Sequence, residues 1–153
     1  MIQEDYVSFE TAKLLKEKGF NEECYCYYKV LCGHYIIAHY SNAITNSDLN
    51  ESYAKIEFGT VPTAQMVLKW LREVYGILMV VDYEYEFTDK SYHYKIYILT
   101  ENGAPVKRIS YVGDNNPHEH IVEYRDYVLS YHDYATYEEA CEAGIKYCLE
   151  NLI

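Results

Sequence analysis

The chain has 153 residues, 50% hydrophobic and 24% charged, the size and balance of one ordinary domain that can bury a core without staples. Thirteen basic residues against 24 acidic ones leave a formal charge of −11, so the mean field repels phosphate backbones and anionic membranes. Direct nucleic-acid backbone binding is therefore not expected. No segment approaches the ~20 apolar residues of a membrane span, the first residues carry no basic or apolar leader, and five irregularly spaced cysteines suit reduced thiols. A cytoplasmic location without membrane contact is expected.

Ser8 is placed to cap a first helix that carries Ala12 and Leu15 on one face and stops at Gly19. Cys24 to Leu31 and Tyr35 to Tyr40 read as a strand pair around Cys32-Gly33-His34, and Ser41 to Ser52, with its asparagines, reads as a loop. Thr63, after Pro62, opens a second helix whose Val67, Trp70, Leu71 and Val74 recur at helical spacing before Gly76. The period then changes to two. Met79, Val81, Tyr83, Tyr85 and Phe87 alternate with Asp82, Glu84 and Glu86, and Tyr92, Tyr94, Ile96 and Ile98 continue the pattern.

Glu101 to Pro105 contains an Asn-Gly turn signal, from which Val106 to Val112 returns as a strand. Asp114 to Pro117 breaks the pattern, and Ile121 to Tyr131 reads as one long strand leading into the last helix. Thr136 and Glu139 form a capping box there, and Ala140, Cys141, Gly144, Cys148 and Leu152 make its apolar stripe. The expected fold is α+β, with antiparallel sheets packed against three helices. The order allows two β-β-(β)-α units after the initial helix, so one compact domain over residues 1–153 would contain two similar halves meeting near 75–77.

Three blocks, Tyr6 to Phe20, Pro62-Thr63 with Lys69 to Val74, and Thr136 to Ala140, resemble small uncharacterised proteins encoded in gut Bacteroidales genomes, their prophages and their phages. The resemblance covers about a third of the chain. It implies a phage or mobile-element setting inside a bacterial host cell and carries over no catalytic residue. The order of helix, strands and closing helix is also similar to double-stranded-RNA-binding domains. Here the helix start that would be lysine-rich reads Glu138-Glu139-Ala140-Cys141-Glu142, which removes the phosphate contacts.

Candidate chemistry is sparse. Cys24, Cys26, Cys32 and His34 are zinc-type donors, but a C-x-C within a strand lacks the turn of a C-x₂-C knuckle. His118 and His120, flanking Glu119, are the other residues a metal would use; they match neither the zinc-protease nor the deaminase signature. No phosphate loop, nucleophile elbow or Cys-His pair with an orienting third group is legible, so the sequence points to no cofactor, metal or catalytic residue. Trp70 belongs to a core-facing helix stripe.

The outstanding feature is tyrosine, 20 residues, more than one core can absorb. Its strand set, Tyr25, Tyr27, Tyr28, Tyr83, Tyr85, Tyr92, Tyr94, Tyr127 and Tyr131, is the candidate binding surface. Rings on both faces of some strands call for a covering other than the chain's own helices, and a second copy making a homodimer answers that need. The leading expectation is a non-enzymatic accessory binding protein, with a host protein as a further partner. The alternatives are an acidic mimic of nucleic acid that inhibits a host protein, and a sponge that stacks nucleotides on its rings. An enzyme built on His118, Glu119 and His120 ranks last.

Overall fold

Capping side chains set where the helices begin in the computed structural model of the chain. The structure describes residues 4–52, 57–86, 89–99, 121–123, 128–130 and 134–153. It is α+β with antiparallel sheets, and the chain divides into two compact units, Met1–Val67 with Leu149–Ile153 and Leu68–Cys148.

In the first unit, helix α1 (Phe9–Glu17) starts at Ser8, whose hydroxyl accepts from Thr11 N at 3.2 Å, and buries Thr11, Ala12 and Leu15. Strands β1 (Cys24–Leu31) and β2 (His34–Ile44) form a hairpin, and β3 (Glu57–Thr60) adds to the other side of β1, giving the order β2-β1-β3. A short helix α2 (Asn46–Ser52) lies between β2 and β3, within the stretch expected to be a loop. The reason is a second capping box. Thr45 N donates to Asp48 Oδ2 at 2.8 Å, and Asp48 N donates to Thr45 Oγ1 at 3.3 Å, so the carboxylate and hydroxyl satisfy each other's orphan donors.

Buried Asn46 then ties three elements together. Its Nδ2 donates to Phe20 O at 2.7 Å and its Oδ1 accepts from Thr60 N at 3.0 Å, so the amide is satisfied without water. The segment around Tyr6 is held on the far side by Val7 N donating to Pro62 O and Ala64 N donating to Asp5 O. Lys18 Nζ, at the end of α1, donates to Ile153 O at 2.6 Å.

Helix α3 (Ala64–Tyr75) follows Thr63, whose hydroxyl accepts from Met66 N. Val67, Trp70 and Leu71 are buried as the helical spacing predicts, but Val74 is 57% exposed. Its position completes the stripe arithmetically while the last turn of α3 faces outward, so Val74 is a correction to the expected core.

In the second unit, β4 (Ile77–Glu86) and β5 (Asp89–Ile98) pair antiparallel along their whole length, from Ile77↔Ile98 to Glu86↔Asp89. The alternation holds around Met79 and Ile96, but Tyr83, expected on the buried side, is 45% exposed and His93, on the opposite face from Tyr94, is buried. Ile77, Met79, Tyr94 and Ile96 are buried, while Val80 and Asp82 face out. The stretch expected as one long strand is instead β6 (Ile121–Glu123) and β7 (Val128–Ser130), paired with each other, in the sheet order β4-β5-β7-β6. A period of two is the same whether a segment runs straight or folds back, which is why the reversal was not legible.

Helix α4 (Tyr137–Asn151) makes a fourth helix among the described residues. Its box is formed by Glu139 N donating to Thr136 Oγ1 at 3.1 Å and Glu139 Oε2 accepting from Ala135 N at 3.2 Å. Ala140, Cys141, Gly144, Ile145 and Cys148 are buried. Leu152 lies past the helix end and is half-buried. The expected hairpin over 101–112 and the break at 114–117 lie outside the described residues.

Candidate recognition surface

The β1–β2 hairpin turns through Cys32 and Gly33, both at positive φ, +52° and +81°. Two consecutive left-handed residues make the type I′ turn whose twist suits a two-residue hairpin; Gly33 takes that conformation freely, whereas Cys32 adopts it at some cost. The closing pair Leu31↔His34 sets the register, which continues through Val30↔Tyr35, Lys29↔Ile36, Tyr28↔Ile37, Tyr27↔Ala38 and Cys26↔His39 before it shifts.

Beyond the turn the hairpin carries the densest apolar exposure in the first unit. Leu31, Tyr35, Ile36 and Ile37 are 53%, 48%, 39% and 38% exposed, and Tyr25 and Phe58 stand out as well. Tyr35 stacks on Phe9 of α1 with ring centroids 3.7 Å apart, and Phe58 of β3 meets both rings edge-on at 5.1 and 5.4 Å. Beneath them Tyr28 is buried, with its hydroxyl donating to Val7 O at 2.8 Å. The box of Phe9, Tyr28, Tyr35 and Phe58 is thus anchored on one side and open on the other. From Val30 to Ser47 there is no Asp, Glu, Lys or Arg, in a chain that is 24% charged.

At the far end of the same hairpin, register brings together a polar cluster that sequence spacing conceals. Cys26 Sγ lies 3.1 Å from His39 Nδ1, and the Tyr6 hydroxyl, hydrogen-bonded to Cys26, donates to Glu4 Oε2 at 2.8 Å. The contact with Cys26, and then that with Glu4, pushes the Tyr6 phenol well above its ordinary value and keeps it a neutral hydroxyl. A thiol beside an imidazole is the arrangement that activates a cysteine nucleophile. Cys26 is only 2% exposed, and among the described residues nothing hydrogen-bonds the second ring nitrogen of His39, so the pair lacks access and an orienting third group.

Of the tyrosines singled out in the sequence, Tyr25 and Tyr83 are exposed and Tyr92 is half-buried, with Tyr83 and Tyr92 paired across strands at 5.1 Å between rings. Tyr27, Tyr28 and Tyr94 are buried within the chain's own structure. Tyr27 stacks on Tyr40 at 4.3 Å, and Tyr94 sits between Tyr134 and Tyr147. Tyr85 belongs to β4, while Tyr127, Tyr131, His118 and His120 lie outside the described residues. Among the described residues no three His, Cys, Asp or Glu side chains gather as metal ligands. Cys24 and Cys26 are buried on β1, whereas Cys32 and His34 are exposed at the turn.

Leu31, Tyr35, Ile36, Ile37 and Phe58 fall outside the strand tyrosines that the sequence singles out. The uncharged run from Val30 to Ser47 was the available signal. No family model, no curated protein and no solved structure matches this chain. None of the described helices is long and apolar enough to cross a membrane.

Proposed function

We propose that this chain is a non-enzymatic binding protein that works by self-association, as a homodimer, through the exposed β1–β2 hairpin. The observation that carries the reading is the consecutive exposure of Tyr35, Ile36 and Ile37 beside Leu31, within a stretch that has no formal charge. Side chains alternate along a strand, so Tyr35 with Ile37 and Leu31 with Ile36 leave both faces of the outer strand apolar and exposed to water, which marks an interaction site. Part of the tyrosine-rich surface belongs to it, through Tyr25 and Tyr35; the resemblance to Bacteroidales phage and prophage proteins supports an accessory role in a mobile element, in the cytoplasm of a host cell.

The rival binding readings draw less support. An acidic mimic needs carboxylates on its contact face, and the exposed hairpin has none. A nucleotide sponge would have to hold a base on the one face of Tyr35 that Phe9 leaves free, and the uncharged run from Val30 to Ser47 supplies no cation for its phosphates. Light scattering on the full chain tests the reading. A mass near twice 18.0 kDa that falls on dilution is expected, and a mass that stays at 18.0 kDa up to about 0.5 mM protein refutes it.

A further inference from the structure

We infer that the outer edge of β2 is closed by β2 of a second copy, running antiparallel with Ile37 on the two-fold axis; this rests on the self-association proposed above and names its partner surface and register.

The hairpin geometry dictates which backbone groups are on offer. In a two-residue hairpin the closing pair, here Leu31↔His34, exchanges hydrogen bonds, so His34, Ile36 and Ala38 bond inward to β1. Tyr35, Ile37 and His39 therefore direct N–H and C=O outward. Among the described residues no strand pairs with that side of β2. The regular register ends at His39, where the pairing with β1 jumps from Cys26↔His39 to Cys24↔Ile44, so the flat part of the edge is His34 to His39.

Natural edge strands are usually blunted by lysine, proline, an inward charge or short length. The flat edge has no lysine, proline or formal charge, and β2 extends to 11 residues. Its neutrality also selects the occupant. Each chain carries −11, so two copies can approach only where like charges are not forced opposite one another, and the uncharged run from Val30 to Ser47 is such a place. A basic partner, by contrast, would find no carboxylate there.

A reversed copy of the same strand is self-complementary, as a two-fold interface requires. Outward-facing residues must pair with outward-facing residues, which limits the axis to Ile36, Ile37 or Ala38. With Ile37 on the axis, Tyr35 meets His39 of the second copy and Ile37 meets itself, giving about six inter-strand hydrogen bonds; the other two axes give about four. The Ile37 axis is the register that satisfies the whole edge. It also brings Ile36 opposite Ala38, so that neither face of the seam opposes two bulky branched side chains except at the axis itself.

Disulfide trapping tests it. A Cys32→Ser background removes the exposed turn thiol, and Ile37→Cys then sets two thiols opposite each other at a Cα spacing of about 5.5 Å, within disulfide range. In the Ile36→Cys counterpart the two thiols sit two registers apart and out of reach. Both positions are exposed, so folding is not at stake. Under mild oxidation the Ile37→Cys chain is expected to form a covalent dimer at least about tenfold faster than the Ile36→Cys chain. Faster trapping of Ile36→Cys overturns the register. An untrapped Ile37→Cys chain that light scattering still finds dimeric overturns the edge pairing and leaves self-association standing, whereas a monomeric wild-type chain overturns both.

Discussion

Gly144→Ala is the sharpest single-atom test of how α4 packs on the β4–β5 sheet. A Cβ added at Gly144 would collide with Met79 Sδ and would lie 2.9 Å from Tyr94 Cγ and 3.2 Å from Tyr94 Cβ. The thioether can swing aside, but Tyr94 is 1% exposed and held between the rings of Tyr134 and Tyr147, so the helix itself must lift. In an open helix the same substitution would gain about 1 kcal/mol of propensity. Overpacking a core costs about 1–3 kcal/mol, and a clash with a ring as buried as Tyr94 belongs to the upper part of that range, about 2–3 kcal/mol, so a net loss of about 1–2 kcal/mol remains. At roughly 2–4 °C per kcal/mol for a chain of this size, the thermal midpoint is expected to fall by about 2–8 °C. Calorimetry of the two proteins at equal concentration reads it. A midpoint equal to or above that of the native chain refutes the close approach of α4 to Tyr94.

Trp70→Ala removes a 5%-exposed indole that meets Tyr75 edge-on at 5.0 Å, and a loss of about 3–5 kcal/mol in urea unfolding is expected; wild-type stability would deny Trp70 its core role. The backbone amide and hydroxyl of Thr45 hold the Asp48 carboxylate below its ordinary 3.8. Its contribution to the start of α2 is therefore present above 3.8 and lost as pH falls through the lower folded value, and the Thr45 amide shift should titrate with a midpoint under 3.8. A midpoint at or above that figure contradicts the capping box. Burial pushes the thiols of Cys148 up to about 12 and Cys24 up to about 11, so a neutral-pH alkylating agent should modify exposed Cys32 and spare those two until the chain unfolds. Equal labelling in the native state would refute the burial. Raising the salt concentration should tighten the homodimer, because it screens repulsion between two −11 chains; weakening would indicate that charge pairs hold the contact instead.

The helix starts were legible because a capping hydroxyl acts over three or four residues, so Ser8, Thr63 and Thr136 could be read locally. Thr45 follows the same rule with Asp48 as the acid, and the neighbouring asparagines masked it as a loop. Strand alternation gave the buried face of β4 and β5 at Met79, Tyr94 and Ile96, but not the exposure of Tyr83 or the burial of His93. It could not reveal the reversal between β6 and β7, nor β3, which is short and gains its place from pairing with β1.

The candidate surface was only half legible for a related reason. Whether a strand tyrosine is buried depends on what covers its face, which is tertiary information: Tyr27 and Tyr28 are adjacent and opposed, yet both are buried, while Tyr25 is 62% exposed. Ile36 and Ile37 are as hydrophobic as core residues, yet they are exposed on β2, the outer strand of its sheet. Cys26 and His39 stand 13 positions apart and meet only through the hairpin register.

Amide hydrogen exchange at the edge of β2 tests the central claim most directly. Comparison of concentrated and dilute protein should show the amides of Tyr35, Ile37 and His39 slowed by at least about tenfold in the concentrated sample, with those of Ile36 and Ala38, already bonded to β1, changing less. Exchange at Tyr35, Ile37 and His39 that is the same at both concentrations would contradict a β2 edge closed by a second copy.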